Sequence, residues 1–408
     1  MKKIPELLAP SGDITRLKAA VSFGADAVYL AGQEFGMRTA ASNFSKDDLK
    51  LGVEYAHKNN VKVHITCNTI PHNEEIKRLP EYLEYLNSLK VDAIIASDLG
   101  TMKLVQKYAP DVELHVSVQS GIVNFDTANA FFDMGAKRVV LARELSLDEI
   151  AEIRAHTDPK LELEAFAHGA MCVSFSARCL LSSYMTGRDA NRGDCAQPCR
   201  WSYALVEEKR PGQYFPVEET EKGTYILNAN DLCMAPYLDK MIDAGIDSIK
   251  LEGRAKSHYY TAAVTNAYRM ALDSIAKCND GDAWVLPEYV ADELNKISHR
   301  GYSTGFYFGK PENSQTYENA GYVRDYAVAA VVTGYEDGCI LCEMKNKFSV
   351  GVKLDCLEPH GIPFVFSVDK MYDEKGESID VARHPTMTLK IPFEREVKVG
   401  ALLRMKND

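Results

Sequence analysis

Five of the ten cysteine residues of this chain are concentrated in one polar stretch between residues 164 and 233, where arginines and glycines separate them. They are Cys172, Cys179, Cys195, Cys199 and Cys233. Structural zinc sites usually combine two Cys-x-x-Cys pairs, or a cysteine pair with a histidine pair, and the stretch shows neither pattern. Soft thiolate ligands gathered from separate loops instead suit an iron–sulfur centre. The alternative is that all five are ordinary buried thiols.

Length and composition indicate a large globular protein. The 408 residues are 46% hydrophobic, which is enough for a large domain and a smaller one. Pro5, Glu6 and Pro10 interrupt the amino-terminal segment, so we expect no signal peptide, and no apolar run reaches the length of a membrane span. The other cysteines are scattered singly, so a disulfide framework is not expected either. We therefore expect a cytoplasmic protein without a membrane partner.

The formal net charge of −11 bears on nucleic-acid binding. An acidic chain does not attract phosphate backbones broadly and nonspecifically, but it leaves room for a local basic groove.

Eight short apolar runs, each followed by a turn and a helix-like pattern, organise the first 250 residues. They are Leu7–Ala9, Ala27–Leu30, Val61–Thr66, Ala93–Ala96, Leu114–Val118, Arg138–Ala142, Leu161–Ala167 and Ser248–Leu251. Glycine turns at Gly24, Gly135 and Gly245 lead directly into strands. Serial βα units predict a parallel sheet, and eight of them favour a closed α/β fold, a TIM-like (β/α)₈ barrel over residues 1–280.

A barrel of this type carries its active site at the carboxyl ends of its strands. The residues at those ends are polar, and they are Ser11, Gln33, Asn68, Asp98, Gln119, Arg143, His168, Glu252 and Arg254. Arg143 and Arg254 could each clamp a carboxylate or phosphate with two hydrogen bonds. His168 is either an acid–base group or a structural imidazole, and each remaining residue is either a ligand contact or a loop cap.

The cysteine stretch, residues 168–233, is predicted to be an insertion after the seventh strand. Residues 201–230 read as a long hairpin that leads back to Cys233, and a helix from His258 to about Lys277 follows. Residues 281–320 form a connector. Alternating short strands then predict a small antiparallel β-barrel domain over residues 321–408, in which Cys339 and Cys342 are expected to serve core packing.

The segment EAFAHGAMCVSFSARCLLSS resembles the signature of the collagenase-like peptidases of family U-thirty-two. The segments ELLAPSG, GADAVYLAG, LHVSVQ, LARELSLDEI and SIKLEGRAKSHYY are similar to that family as well, so the resemblance extends over the full length. The sequence nevertheless shows no Ser-His-Asp order, no His-Glu-x-x-His motif and no paired catalytic aspartates that would indicate hydrolysis.

The resemblance implies a different chemistry, because this family includes oxygen-independent hydroxylases that carry a 4Fe-4S cluster. The compact carboxyl-terminal domain is most similar to the branch that adds a 5-hydroxyl group to the wobble uridine of tRNA and requires prephenate. The implied ligands are Cys172, Cys179 and Cys195, with either Cys199 or Cys233 as the fourth. The implied partners are a tRNA anticodon stem-loop and prephenate or a similar anion, while the electron donor and the need for a homologous partner subunit are left open.

On this hypothesis Arg143, His168 and Arg254 are candidate catalytic residues. Asn68, Gln119, Tyr184 and Glu252 are candidate substrate-binding residues, and Tyr184 or Trp201 could stack on an unpaired base. The competing hypotheses are a collagenase-like peptidase, a hydroxylase of ribosomal RNA cytidine, and a scaffold protein whose cluster is only structural.

Overall fold

The computed structural model describes residues 3–37, 43–172, 174–175, 178–201, 205–206, 214–215, 229–279, 282–309 and 322–407. Its larger part is a barrel of eight parallel strands. In chain order the barrel strands are β1 (Glu6–Pro10), β2 (Ala27–Leu30), β3 (Lys62–Cys67), β4 (Ala93–Ala96), β5 (Glu113–Val116), β6 (Ala136–Val140), β7 (Glu162–Ala170) and β11 (Ser248–Leu251). Strand β11 pairs in parallel with both β1 and β7, so the barrel is closed and the predicted fold class is confirmed.

Helices follow the strands and form the outer layer. They are α1 (Ile14–Ser22), α2 (Lys46–Lys58), α3 (Asn73–Ile76), α4 (Leu79–Ser88), α5 (Leu99–Tyr108), α6 (Phe125–Asp133), α7 (Leu147–Ala155), α8 (Leu181–Thr186), α9 (Leu238–Asp243), α10 (His258–Ala276) and α11 (Glu288–Lys296). Glycines end several of these units as predicted: Gly24, Gly135 and Gly245 have φ values of 100°, 89° and 82°. This left-handed conformation is easy for glycine because it has no Cβ atom.

The strand boundaries differ from the sequence prediction in two places that matter for the site. Strand β5 ends at Val116, because residues Val118–Ser120 form a 3₁₀ helix instead. Strand β7 continues to Ala170, beyond its predicted end, because its last residues pair antiparallel with β10 (Asp231–Cys233). Strand β10 also pairs with β12 (Tyr302–Ser303), so the cysteine insertion returns to the barrel along β7.

Within the insertion, β8 (Leu205–Val206) pairs antiparallel with β9 (Tyr214–Phe215), as the first part of the predicted hairpin requires. Residues 216–228 of the predicted hairpin lie outside the described residues. None of the described helices combines the length and apolar character needed to cross a lipid bilayer.

The carboxyl-terminal part is a six-stranded antiparallel sheet with the strand order β17-β16-β20-β13-β14-β19. Its strands are β13 (Tyr326–Glu336), β14 (Cys339–Met344), β16 (Lys353–Leu357), β17 (Phe364–Ser367), β19 (Thr388–Pro392) and β20 (Leu402–Lys406), beside a ribbon of β15 (Phe348–Ser349) and β18 (Val381–Ala382). The described residues form no ladder between the edge strands β17 and β19, so the domain is a half-barrel. Cys342 lies in its apolar core.

Candidate functional site

A small cavity opens at the carboxyl end of the barrel. Five residues proposed from the sequence line it together, and they are Asn68, Gln119, Arg143, Glu252 and Arg254. Their side chains come from the ends of four different strands, which is where a barrel of this type places its chemistry.

Two arginines form part of the cavity wall. The Arg143 guanidinium carbon lies 3.8 Å from the centre of the Phe166 ring, and its Nη1 donates to the Ala170 carbonyl oxygen at 3.0 Å. Arg254 is buried, and its Nη1 lies 3.3 Å from Thr66 Oγ1. Stacking and the backbone bond fix the orientation of the Arg143 guanidinium, whose planar shape suits a carboxylate or phosphate.

The remaining wall carries hydrogen-bonding groups. Glu252 Oε2 accepts from the Tyr29 hydroxyl at 3.1 Å, and Asn68 Oδ1 accepts from the backbone N–H of Met37 at 3.2 Å. Gln119 is buried and its Oε1 has no hydrogen-bond partner among the described residues. A buried acceptor without a partner is costly in a folded protein, so Gln119 is available to a ligand donor.

The floor of the cavity is ionic, which sequence reasoning missed. Lys250 lines the cavity, and its Nζ lies 2.6 Å from Oε1 of the buried Glu164. Arg138 Nη1 lies 3.0 Å from Glu164 Oε2 and 2.6 Å from Glu6 Oε1. Burial alone would raise the pKa of Glu164, but Lys250 and Arg138 outweigh it and lower the pKa to about 2. The sequence did contain a signal for this ionic floor: a lysine and glutamates occupy inward-facing positions of strands that are otherwise apolar.

The structure corrects the expectation for His168, which does not line the cavity. Phe166 of β7 pairs with Lys250, but the next pair is His168 with Leu251, so β7 contains one extra residue. Such a bulge turns the following side chain to the other face of the strand. His168 therefore packs behind the barrel wall, where its Nδ1 lies 3.3 Å from the Tyr268 hydroxyl and burial lowers its pKa to about 3.

Four cysteines lie on the loops that follow β7. Cys172 comes two residues after the strand, Cys179 precedes α8, and Cys199 lies in the 3₁₀ helix Pro198–Arg200. Burial raises the pKa of the Cys199 thiol, Arg200 partly offsets this, and the neighbouring thiols of Cys172, Cys195 and Cys179 raise it further. The Cys199 thiol is thus near enough to the other three for their charges to affect its pKa.

The backbone around these cysteines is arranged to support thiolates. Cys179 Sγ accepts the N–H of Leu181 at 3.3 Å, and Cys195 Sγ accepts the N–H of Gln197 at 3.4 Å. Asn191 connects the loops, because its side chain bonds both the N–H and the carbonyl oxygen of Cys179, at 3.2 and 3.1 Å. Hydrogen bonds to sulfur stabilise its charged form, which is the form that binds metals.

Cys233 has different neighbours. It pairs with His168 across β10 and β7, and its thiol lies near the Tyr268 hydroxyl and the Ala235 backbone. Burial raises its pKa to about 11. Of the two candidates for a fourth ligand, Cys199 is the one whose sulfur interacts with the other three.

A single metal ion does not fit this arrangement. Among the described residues, no three His, Cys, Asp or Glu side chains come together as ligands of one ion. A cluster of several irons needs a wider spacing, because each cysteine binds a different iron atom.

Two candidate stacking residues lie beside the cysteines. Tyr184, on α8, is 84% exposed and lies outside the cavity, and Trp201 is 43% exposed at the end of the described insertion loop. Both rings are accessible to a partner.

Comparison with known proteins assigns the chain to a family. The model of peptidase family U32 matches residues 12–317, and the model of the U32 carboxyl-terminal domain matches residues 324–404. The chain belongs to peptidase family U32.

Three U32 relatives are similar over most of this chain. The chain is 36% identical to "tRNA hydroxylation protein P1" of Bacillus subtilis over 98% of its own length and 95% of that protein. It is 34% identical to "tRNA hydroxylation protein P" of Escherichia coli, and the alignment covers 99% of this chain and 97% of that protein. It is 42% identical to an uncharacterized protease of Methanocaldococcus jannaschii, with 82% of each chain covered.

Proposed function

We propose that this U32 protein is a cytoplasmic, oxygen-independent tRNA hydroxylase that adds a hydroxyl group to C5 of the wobble uridine. The names of two relatives that align over nearly the whole chain support tRNA as the substrate. The observation that carries the proposal is that Cys172, Cys179, Cys195 and Cys199 lie on the loops that leave β7, whose last residue, Ala170, is bonded to Arg143 in the cavity wall.

In this proposal Cys172, Cys179, Cys195 and Cys199 hold a 4Fe-4S cluster. When bound, the cluster supplies one-electron transfer at the rim of the barrel. Replacing C5–H by C5–OH with an oxygen atom at the oxidation level of water releases two electrons and two protons. The reaction therefore also requires a two-electron acceptor, which we assign to a separate redox protein.

The cavity would bind prephenate, whose carboxylates match its arginines. Arg143 and Arg254 would orient the anion by charge-assisted hydrogen bonds, and Gln119 Oε1 would accept a hydrogen bond from its hydroxyl group. An unpaired anticodon base would stack on Tyr184 or Trp201 at the rim, since sequence-specific proteins usually bind RNA at single-stranded loops.

The test measures 5-hydroxyuridine in tRNA from a bacterial strain that lacks all its own U32 hydroxylases. Expression of the wild-type chain should restore the modified nucleoside, Cys179→Ala should not, and Cys278→Ala, which changes an exposed thiol remote from the four, should behave as wild type. Restoration by Cys179→Ala at equal protein level would contradict the proposal.

Peptide hydrolysis is the competing function, motivated by the family description and the archaeal relative. His168 is not placed to act as a general base in the cavity, because it lies behind β7 against Tyr268. Cleavage of denatured collagen by iron-free protein, abolished by Arg143→Met, would favour the peptidase instead.

A further inference from the structure

Lys250 occupies an unusual position at the floor of the cavity. Its side chain is almost fully buried, and its Nζ lies 4.5 Å from the centre of the Tyr29 ring and 5.5 Å from that of Phe166. Among the described residues, Glu164 supplies the carboxylate that contacts Lys250, with its Oε1 at 2.6 Å from Nζ. An ammonium group has three donors, so Lys250 retains N–H groups for a ligand.

The partner of Lys250 in the ion network is an ionised carboxylate. Burial alone would raise the pKa of Glu164, but Lys250 and Arg138 outweigh it and lower that pKa to about 2. Glu164 therefore holds the Lys250 amine in place at 2.6 Å.

The ion network below the cavity carries no excess of negative charge. Lys250 and Arg138 bind Glu164 and Glu6, and the network continues from Arg138 to Glu162 and Lys137 and from Glu6 to Lys62. Among the described residues that line the cavity above it, two arginines, Arg143 and Arg254, stand against one carboxylate, Glu252. A small anion that enters the cavity therefore meets cations on its walls and on its floor.

We propose that Lys250 fixes a carboxylate of the small-molecule anion at the floor of the cavity, and that Glu164 and Arg138 are positioning residues for its ammonium group. The inference rests on the proposed function, since it assigns a contact to the anion named there. It makes Lys250 a specificity-determining residue that favours ligands with a second acidic group, the first being bound by Arg143 or Arg254.

The experiment is calorimetric titration of the purified chain with prephenate, which has two carboxylates, and with phenylpyruvate, which has one. Lys250→Met should weaken prephenate binding about tenfold or more and phenylpyruvate binding much less, because one charge-assisted hydrogen bond is lost. Lys46→Met is the control: Lys46 lies on α2, is largely exposed beside Glu81 outside this ion network, and its loss should change neither affinity.

A charge-balanced variant separates binding from folding. Lys250→Met leaves the buried Glu164 with less compensation, whereas Lys250→Met/Glu164→Gln removes both charges and should restore the melting temperature without restoring prephenate affinity. Glu164→Gln alone should weaken binding several-fold, and Glu164→Asp should recover part of it. If the double variant binds prephenate as tightly as the wild-type chain does, the inference is wrong. It is also wrong if the wild-type chain does not bind prephenate.

These titrations require neither tRNA nor a cluster, so the two hypotheses can fail separately. Prephenate binding that depends on Lys250 in a protein that leaves tRNA unmodified would contradict the proposed function only. Full tRNA hydroxylation with Lys250-independent binding would contradict this inference only.

Discussion

Arg404 and Glu293 form a two-pronged ion pair between the carboxyl-terminal sheet and the barrel. Arg404 Nη1 lies 2.6 Å from Glu293 Oε2, and Nη2 lies 3.0 Å from Glu293 Oε1. Nη2 also lies 2.6 Å from Asp355 Oδ1, within the same sheet. Glu293 belongs to α11, which packs on α10, so this buried cluster connects the half-barrel to the outer layer of the barrel.

We expect Arg404→Met to lower the free energy of unfolding by about 3 kcal/mol, because it removes the fully buried cation of Glu293 and Asp355 and leaves these two carboxylates with Lys296 as their remaining described cation. Urea unfolding followed by circular dichroism measures the change. Arg78→Met is the control: Arg78 lies 2.7 Å from Glu34, but both side chains are about half exposed, and such pairs contribute less than about 1 kcal/mol. If both variants lose the same free energy of unfolding, the buried pair does not stabilise the protein more than an exposed pair does.

His168 should make the protein sensitive to mild acid. Burial lowers its pKa to about 3, whereas the same residue in the unfolded chain titrates near 6.5. Between these two pH values the unfolded chain binds a proton at His168 that the folded chain does not bind. The free energy of unfolding is therefore unaffected by protonation of this residue above about pH 6.5 and decreases as the pH falls toward 3. From pH 7 to pH 5 the loss due to His168 is about 2 kcal/mol.

His168→Phe should therefore lose about 2 kcal/mol less than wild type between pH 7 and pH 5, as measured by urea unfolding at both values. Phenylalanine retains the ring contacts with Tyr260, Tyr268 and Tyr302. The exposed His384, replaced by Gln, serves as the comparison. If His168→Phe shows the same pH dependence as wild type, the pKa of this imidazole does not differ between the folded and the unfolded chain, and the prediction is wrong.

Cys199 and Cys233 should differ in their effect on iron. After anaerobic purification, Cys199→Ala should lose most bound iron and the visible absorption of a cluster, because its sulfur is the one beside Cys172, Cys179 and Cys195. Cys233→Ala should retain both, since its thiol lies near Tyr268 instead. Iron content and the ultraviolet–visible spectrum measure the difference. If Cys233→Ala loses the iron and Cys199→Ala retains it, Cys233 is the fourth ligand.

Tyr184 should affect RNA binding without affecting stability. Stacking of one base on an aromatic ring contributes about 1–3 kcal/mol, so Tyr184→Ala should weaken binding of an anticodon stem-loop about tenfold or more. Tyr184→Phe retains the ring and should bind normally, and Leu51→Ala changes a residue on α2 that is also exposed, at 57%. Fluorescence anisotropy with a labelled stem-loop provides the measurement; equal affinity for Tyr184→Ala and wild type would remove Tyr184 from the RNA-binding surface.

The sequence alone determined the barrel and most of its mouth. Apolar runs and glycine turns act locally, so they identified all eight strands, and strand ends in a parallel barrel meet at one rim. Asn68, Gln119, Arg143, Glu252 and Arg254 could therefore be assigned to one site without any knowledge of distances. The cysteines could be grouped for the same reason, because they follow one strand end.

Only the tertiary structure decided which way individual side chains face. The bulge opposite Leu251 turned His168 away from the cavity, and a bulge depends on the pairing of two strands more than eighty residues apart in the chain. The role of Lys250 likewise depends on contacts with Glu164 and, through it, Arg138. Cys233 separates from Cys199 because β10 pairs with β7. Periodicity specifies local structure, whereas register and long-range pairing select each side chain's neighbours.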